Sequence, residues 1–259
     1  LEGTIPDGEM RRQLTNKLRQ EKVPYTCLNA SAPNMPSVYL DNMTAMDGMI
    51  THLAEKHGIR MINFIAGPRN KRDAEERLDA VRASCERLHL PLSNKQIYYG
   101  DFHAESGMAA VRHFENSMLA RPDAYVCAND EMALGAYMQL QEYGIRVPEE
   151  VILTGFDNVF AARNHAPRIT SVYRDNEAIG RLLYENLLKI IHGKQYDQNA
   201  CAGCAPVYAE SCGCPMRRED SDEAIINSYS WGMIRQNLQI NMMRSSLSEF
   251  MELNSLREL

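Results

Sequence analysis

The sequence lacks the features that mark several classes of protein. No apolar run approaches the length of a membrane span, and no signal peptide stands at its start. Basic residues are not in excess, because 28 Lys and Arg stand against 34 Asp and Glu, a net charge of -6. Neutralising nucleic-acid phosphates takes clustered Lys and Arg, so we expect any DNA contact to need a module outside this chain. We expect a cytoplasmic protein with no membrane partner.

Catalytic and cofactor motifs are also missing. The sequence has no Walker-type phosphate loop and no GxGxxG motif. His57, His103 and His165 have no Ser or Cys nucleophile in a recognisable elbow, and the pair His103-x-Glu105 lacks a third metal ligand. We therefore expect no cofactor, and an enzyme is disfavoured.

The seven cysteines are odd in number and scattered, which indicates a reducing compartment rather than a disulfide framework. Four of them are close in sequence: Cys201, Cys204, Cys212 and Cys214. Four thiolates could close a tetrahedral zinc site, and a redox pair is a second alternative. Because the spacing is not that of a familiar zinc finger, we expect incidental thiols and no stoichiometric metal.

Residues 121–158 are predicted to fold as strand, helix, strand. A short apolar run at 123–128 is followed by a helix, and residues 151–154 form the next buried strand. Spacing of three to four predicts the inner face of the helix: Met132, Ala133, Ala136, Met138, Leu140 and Tyr143. Gly144 ends the helix.

A polar pair follows each of these two strands. Asn129 and Asp130 follow the first, and Asp130 is the predicted N-cap of the helix; Asp157 and Asn158 follow the second. Parallel strands joined in this way place both pairs on the carboxyl edge of the sheet, where open α/β sheets bind ligands. The alternative is that each pair only caps a helix.

Strands and helices alternate along the rest of the chain, which predicts parallel sheets with right-handed crossovers. Further strands are predicted at residues 23–28, 37–40, 59–66, 96–99 and 207–211. Further helices are predicted at residues 9–21, 44–57, 71–90, 106–120 and 176–191.

Two segments resemble the effector-binding domain of lac repressor-type regulators. They are CANDEMALGA at 127–136 and VPEEVILTGFDN at 147–158. That domain is itself similar to periplasmic sugar-binding proteins, and the resemblance covers roughly residues 1–215. It implies an α/β, two-lobed, periplasmic-binding-protein-like fold with parallel doubly wound sheets. One lobe would hold residues 1–40 and 172–198, and the other residues 41–171 and 199–215. About two strand–helix units precede residues 1–6 in that family, so we expect the first lobe to be incomplete.

The resemblance also implies a ligand site in the cleft between the lobes. Its expected residues are Asn29, Arg77, Phe102, Asn129, Asp157 and Arg174. Asn129 would bond ligand hydroxyls, Asp157 would accept from a sugar or purine group, and Phe102 would stack on a sugar face. The residues after Arg77 depart from the family's pattern, and Arg77 could instead be solvated on a charged helix. Phe102 could instead cover the edge of the core.

Residues 216–259 change in composition and have no Pro and a single Gly. Apolar residues recur every seven positions, which predicts a long C-terminal helix that forms a coiled-coil linker. The pattern is carried by Ile226, Met233, Ile240 and Leu247, with Tyr229, Met243 and Phe250 beside them and Gln236 interrupting. The alternative is one amphipathic helix that folds back on its own lobe.

These observations predict a sensing domain of a transcriptional or signalling regulator. Its effector would be a small sugar- or nucleoside-like molecule, and the chain would be a homodimer. A solute-binding protein of a transport system is the alternative from another class, and an enzyme on the same fold is the third.

Overall fold

Two separate parallel sheets organise the fold. The computed structural model describes residues 8–29, 36–69, 71–117, 120–198 and 200–215. All of these except Pro215 belong to one compact unit, Leu1–Cys214. The predicted tail helix at 216–259, and residues 1–6, lie outside the described residues.

The elements alternate along the chain much as predicted. The described helices are α1 (Gly8–Gln20), α2 (Asn42–His57), α3 (Arg72–Arg87), α4 (Ala104–Glu115), α5 (Asp130–Glu142), α6 (Phe160–Arg163) and α7 (Asn176–Ile191). The described strands are β1 (Cys27–Leu28), β2 (Ser37–Leu40), β3 (Ile62–Ala66), β4 (Ile97–Tyr99), β5 (Ala124–Cys127), β6 (Ile152–Thr154), β7 (Ser171–Arg174), β8 (Ala200–Ala202) and β9 (Cys204–Val207). Short 3-10 helices lie at Asn94–Gln96 and Glu210–Cys212.

The first sheet has the order β1-β2-β8 and the second has the order β4-β3-β5-β6. Every pairing within them is parallel. An antiparallel pair, β7 with β9, forms a third, two-stranded sheet. The chain passes from the first sheet to the second after β2, returns through α7, and leaves again between β8 and β9.

The second sheet carries the main core. Every residue of β3, β5 and β6 is buried, as expected for parallel strands covered by helices on both faces. The first sheet has a smaller core of Val38, Leu40, Ala200 and Ala202, which Ile179 of α7 covers. The described part of the chain contains no helix long and apolar enough to cross a membrane.

The inner face of α5 differs in part from the prediction. Met132, Ala133, Ala136 and Leu140 are fully buried, but Met138 is 53% exposed and Tyr143 is 43% exposed. Spacing along the helix explains the difference, because position 138 lies two residues from both 136 and 140 and so turns away from their face.

Two predicted strands are shorter or placed differently. Only Cys27 and Leu28 pair in the predicted strand 23–28, and Val23 is 46% exposed. The predicted strand 207–211 is instead β9, which ends at Val207, because Glu210–Cys212 is a 3-10 turn.

The lobe boundaries stay a prediction, with one correction. Residues 199–215 were assigned to the second lobe, yet β8 pairs with β2 of the first sheet, Val38 opposite Ala200 and Leu40 opposite Ala202. Residues Ala200–Ala202 therefore belong to the first sheet.

Candidate ligand-binding site

Three of the six predicted ligand residues have unusual backbone conformations at the ends of strands. Asn29 follows β1 with φ 51°, Phe102 follows β4 with φ 73°, and Asp157 follows β6 with φ 103°. Residues other than glycine rarely adopt a positive φ, and such backbone strain is concentrated at binding and catalytic sites. These observed conformations therefore favour the carboxyl edges as the place of function.

Arg77 lies at the centre of the site. Arg77 belongs to α3 and is buried, with 2% of its surface exposed. Nη1 donates to the carbonyl of Ala128 at 2.6 Å, and Nε donates to Oδ1 of Asn42 at 3.1 Å. The guanidinium carbon lies 3.6 Å from the centroid of the Phe156 ring, a cation–π contact. The alternative that Arg77 is solvated is therefore wrong.

Asp157 faces two arginines. Nη1 of Arg174 donates to Oδ1 at 2.9 Å, and Nη2 of Arg77 lies 3.5 Å from the same oxygen. Burial lowers the pKa of Arg77, and the charge of Asp157 opposes this effect. Because guanidinium groups keep their proton in proteins, two positive charges meet one carboxylate. The side chains of Asp157 and Arg174 are 21% and 23% exposed, so both reach solvent at this edge.

Asn29 connects the first sheet to the same group of residues. Its Nδ2 donates to Oδ1 of Asp73 at 2.7 Å, and its Oδ1 accepts from the backbone amide of Leu40 at 3.1 Å. Nδ2 of Asn42 donates to Asp73 at 3.2 Å and to Oε2 of Glu76 at 2.8 Å. A continuous hydrogen-bonded network therefore runs from Asn29 through Asp73 and Asn42 to Arg77.

Sequence reasoning missed three members of this network: Asn42, Asp73 and Glu76. Asn42 follows β2 by two residues, so the polar-residue pattern that identified Asp157 could also have found it. Asp73 and Glu76 lie in a helix with many charges, where nothing in the sequence distinguishes them from solvated residues.

The N-cap of α5 differs from the prediction. Asn129 is the N-cap of α5, because its Oδ1 accepts from the amide of Met132 at 3.0 Å. Asp130 is fully buried and accepts from Oγ of Ser171 at 2.6 Å and from the amide of Val159 at 2.7 Å. Burial raises the pKa of Asp130 to about 7. The prediction that Asp130 caps the helix is therefore wrong, and its carboxyl group fastens the segment after β6.

Asn129 also contacts the predicted aromatic wall. Its Nδ2 donates to the carbonyl of Phe102 at 2.8 Å, which fixes the strained turn after β4. The ring of Phe102 is half-buried and packs against the main core beside Gly67. Phe102 thus covers the edge of the core and keeps part of its ring at the surface.

Two tyrosines with stacked arginines were not predicted. The guanidinium of Arg69 lies 3.6 Å from the ring centroid of Tyr99, at the end of β4. The guanidinium of Arg72 lies 4.4 Å from the ring centroid of Tyr39, in β2. Both tyrosines are half-buried; Tyr99 ends the strand that precedes Phe102, and Tyr39 lies in the strand that precedes Asn42.

Two buried polar atoms at this edge have no hydrogen-bond partner among the described residues. They are Nε of Arg174 and Oδ1 of Asn158. Buried polar atoms are nearly always paired with protein or water, so these two are exceptions at this edge. Guanidinium donors, carboxylate acceptors and aromatic rings in one place suit a small hydroxyl-rich ligand.

The four close cysteines do not form one group. Cys201 is exposed in β8 and Cys204 is half-buried in β9. Among the described residues, the group of potential metal ligands contains Cys212 and Cys214 but neither Cys201 nor Cys204.

A surface depression lies elsewhere, in the loop after α7. It is lined by Lys194, Gln195, Tyr196, Asp197 and Gln198. None of the predicted ligand residues lines it.

Comparison with known proteins points to one family. The periplasmic binding protein-like domain family matches residues 50–212. An HTH-type transcriptional repressor PurR from Klebsiella pneumoniae subsp. pneumoniae is 32% identical over 145 residues, 56% of this chain and 42% of the repressor. The PurR repressor of Proteus mirabilis is 33% identical over 142 residues, 55% of this chain and 41% of the repressor. The chain thus spans less than half the length of these relatives.

Solved structures give the same fold. A regulatory protein of the LacI family from Chloroflexus aggregans has a TM-score of 0.70 and 25% identity, covering 77% of this chain and 72% of that one. A transcriptional regulator CelR in complex with cellobiose has a TM-score of 0.68 and 25% identity. The match covers 79% of this chain and 71% of CelR. The lac repressor dimer bound to operator and an anti-inducer has a TM-score of 0.68 at 21% identity and shows the fold alone.

Proposed function

The chain belongs to the periplasmic binding protein-like domain family, and from that membership we propose that it is the effector-sensing part of a regulator. The effector would bind between the carboxyl edges of the first and second sheets. We propose that its binding residues are Asn29, Arg77, Phe102, Asn129, Asp157 and Arg174. Asn42 is added because it accepts a hydrogen bond from Arg77, and Tyr99 because it ends β4, the strand that precedes Phe102.

One observation carries this proposal: a buried arginine is joined by hydrogen bonds to residues from both sheets. Arg77 contacts Asp157 at the end of β6, and through Asn42 and Asp73 it connects to Asn29 at the end of β1. A molecule that bonds to both ends of this network would hold the two halves together. Ligand-driven closure of this kind is a common switching movement in two-lobed folds.

A sugar- or nucleoside-like molecule fits the chemistry of the site. The half-buried rings of Phe102 and Tyr99 offer apolar faces, and Asp157 and Arg174 offer an acceptor and donors for hydroxyl groups. The CelR structure holds cellobiose, and the sequence relatives are repressors named PurR. The sequence relatives favour a regulator over a transport protein, because the PurR proteins are transcriptional repressors.

We further propose a cytoplasmic homodimer that acts on DNA or on another output through a module outside this sequence. The heptad spacing at residues 226–250 supports the dimer, although those residues lie outside the described part of the chain. Light scattering on the whole chain and on a chain that ends at Pro215 tests this proposal. Loss of the dimer on truncation is expected, and an unchanged dimer would contradict it.

Ligand binding is tested with Asp157→Asn and a matched control. A panel of monosaccharides, disaccharides and nucleosides is screened for a rise in Tm, and the affinity of each hit is measured by calorimetry. Asp157→Asn removes a charge-assisted hydrogen-bond acceptor, so we expect affinity to fall about 10-fold to 100-fold. Asp79→Asn changes an exposed residue on α3 two positions from Arg77, and it should bind like the wild type.

Equal affinity in both variants would remove Asp157 from the site. Failure of all compounds to raise Tm at millimolar concentration would contradict the sugar or nucleoside class. Asn129 is a poorer test residue, because its loss also removes the cap of α5.

A further inference from the structure

Two histidines and two cysteines converge at the end of α2, away from the candidate ligand site. They are His52, His57, Cys212 and Cys214. Each offers one ring nitrogen or sulfur atom, and these atoms all lie within 4.8 Å of one another. The proposed function uses none of these residues.

Local structure explains how the four side chains meet. His57 is the last residue of α2, and His52 lies five positions earlier, so their Nε2 atoms come within 3.1 Å. On the other side, Cys212 ends the 3-10 helix and Cys214 follows it by two residues. Gly213 between them has φ 89°, a conformation that glycine adopts without strain.

The distances among His52, His57 and Cys214 are close to those of a tetrahedral metal site, and Cys212 lies slightly farther out. Zinc bonds of about 2.1 Å to nitrogen and about 2.3 Å to sulfur imply separations of about 3.4 Å for N···N and about 3.6 Å for S···N. Sγ of Cys214 lies 3.4 Å from Nε2 of His52 and 3.4 Å from Nε2 of His57. Sγ of Cys212 lies 4.0 Å from Nε2 of His52.

We propose that His52, His57, Cys212 and Cys214 bind one zinc ion as a tetrahedral Cys2His2 site. Two imidazoles and two thiolates are the ligand types that zinc prefers, and two thiolates would neutralise its charge. Four protein ligands fill the coordination sphere, so the ion would be structural rather than catalytic. Cys212 and Cys214 are both free cysteines, so neither sulfur atom is part of a disulfide.

Neighbouring groups hold His52 in the orientation that the site needs. The ring of Tyr208 stacks on the imidazole with centroids 3.5 Å apart and planes at 11°. The Tyr208 hydroxyl donates to the carbonyl of Gly48, one turn earlier on α2, at 3.4 Å.

The proposed site would fasten the end of the compact unit to α2. Cys214 is the last residue of the unit Leu1–Cys214, and it lies 157 positions from His57 along the chain. A zinc ion that closes so long a loop restricts the unfolded chain, as a disulfide would. This inference does not depend on the ligand site.

Metal content tests the proposal directly. The whole chain is expressed with zinc in the medium, and zinc is measured by elemental analysis after exhaustive dialysis. We expect about one zinc per chain. Cys214→Ser and His57→Asn should lose it, whereas the double variant Cys201→Ser, Cys204→Ser should keep it. That control separates the proposed site from a site made of the four close cysteines.

A second measurement does not depend on variants that fold. The wild-type chain is stripped with a chelator and titrated with Co(II), and its visible and near-ultraviolet spectrum is recorded. The intense bands of tetrahedral cobalt and a thiolate-to-metal band are expected, with saturation at about one equivalent. Absence of both zinc and a tetrahedral cobalt spectrum would overturn the proposal. Zinc that persists in Cys214→Ser, or disappears in the Cys201, Cys204 control, would overturn the ligand set.

Discussion

Asn29 donates a hydrogen bond of 2.7 Å to Asp73, and this bond joins the end of β1 in the first sheet to the helix that follows β3 in the second. The two residues lie 44 positions apart, and the bond between them is part-buried. Because the bond spans the two halves of the fold, its strength bears on how firmly they are held together without a ligand.

A double-mutant cycle measures this bond. Asn29→Ala and Asp73→Ala, alone and together, should show a coupling of about 0.5–1.5 kcal/mol in the free energy of unfolding in urea. The loss of stability in Asn29→Ala is limited because Asp73 still accepts a hydrogen bond from Asn42. Asn29→Ala combined with Asp79→Ala is the control and should be additive within about 0.5 kcal/mol. Additivity in the first cycle as well would mean that the bond contributes nothing.

Arg77→Met tests the centre of the network. The substitution keeps most of the apolar stem but leaves Asp157, Asn42 and the Ala128 carbonyl without a buried donor. We expect the free energy of unfolding to fall by roughly 2–4 kcal/mol, with Asp157 partly rescued by Arg174 and solvent. Arg82→Met, on the exposed side of the same helix, should change it by less than about 0.5 kcal/mol. A loss below about 1 kcal/mol in Arg77→Met would show that the network is solvated.

The order of strands and helices could be predicted because hydrophobic spacing and strand ends are local signals. The parallel orientation of β5 and β6, which places Asn129 and Asp157 at one edge, is predicted from the strand, helix, strand pattern and is confirmed. The comparisons also confirm the resemblance to effector domains of lac repressor-type regulators.

Finer details could not be predicted, for physical reasons. Asn and Asp are equally good N-caps, so sequence alone did not determine whether Asn129 or Asp130 begins α5. Burial of Arg77 had a signal that was missed, since it lies three residues after Ala74 and four before Val81 on the inner face of α3. The meeting of His52 with Cys212 had no local signal, because the two lie 160 positions apart.

Two glycines allow α4 and α5 to pack closely, and alanine there should be strongly destabilising. A β-carbon at Gly107 would lie 2.0 Å from the carbonyl oxygen of Met132, and one at Gly135 would lie 1.9 Å from that of Ala104. The clash is with backbone, so we expect Gly135→Ala to lower the free energy of unfolding by about 3 kcal/mol or more. Gly180→Ala in α7 is the helical control: its β-carbon has open space, and it should stabilise by up to about 1 kcal/mol. Similar effects at both positions would contradict the close packing.

The buried carboxyl group of Asp130 should make stability depend on pH. Burial raises its pKa from 3.8 to about 7 in the folded protein, with Asp157 adding to the rise and Arg77, Ser171 and the Val159 amide opposing it. The folded state therefore binds this proton more tightly than the unfolded state. The resulting stability is fully present below about pH 4 and is lost as pH rises to about 7.

Asp130→Asn isolates this effect, because an amide can keep one acceptor for Val159 and one donor for Ser171 without titrating. Free energies of unfolding in urea are measured from about pH 4.5 to about pH 8 for both proteins. The difference, wild type minus variant, should fall by on the order of 2–3 kcal/mol across this range, and effects common to both proteins cancel. Asp79→Asn should follow the wild-type profile. A difference that stays constant, or that rises with pH, would mean that Asp130 is ionised in the folded protein throughout, held by its two hydrogen-bond donors and by Arg77.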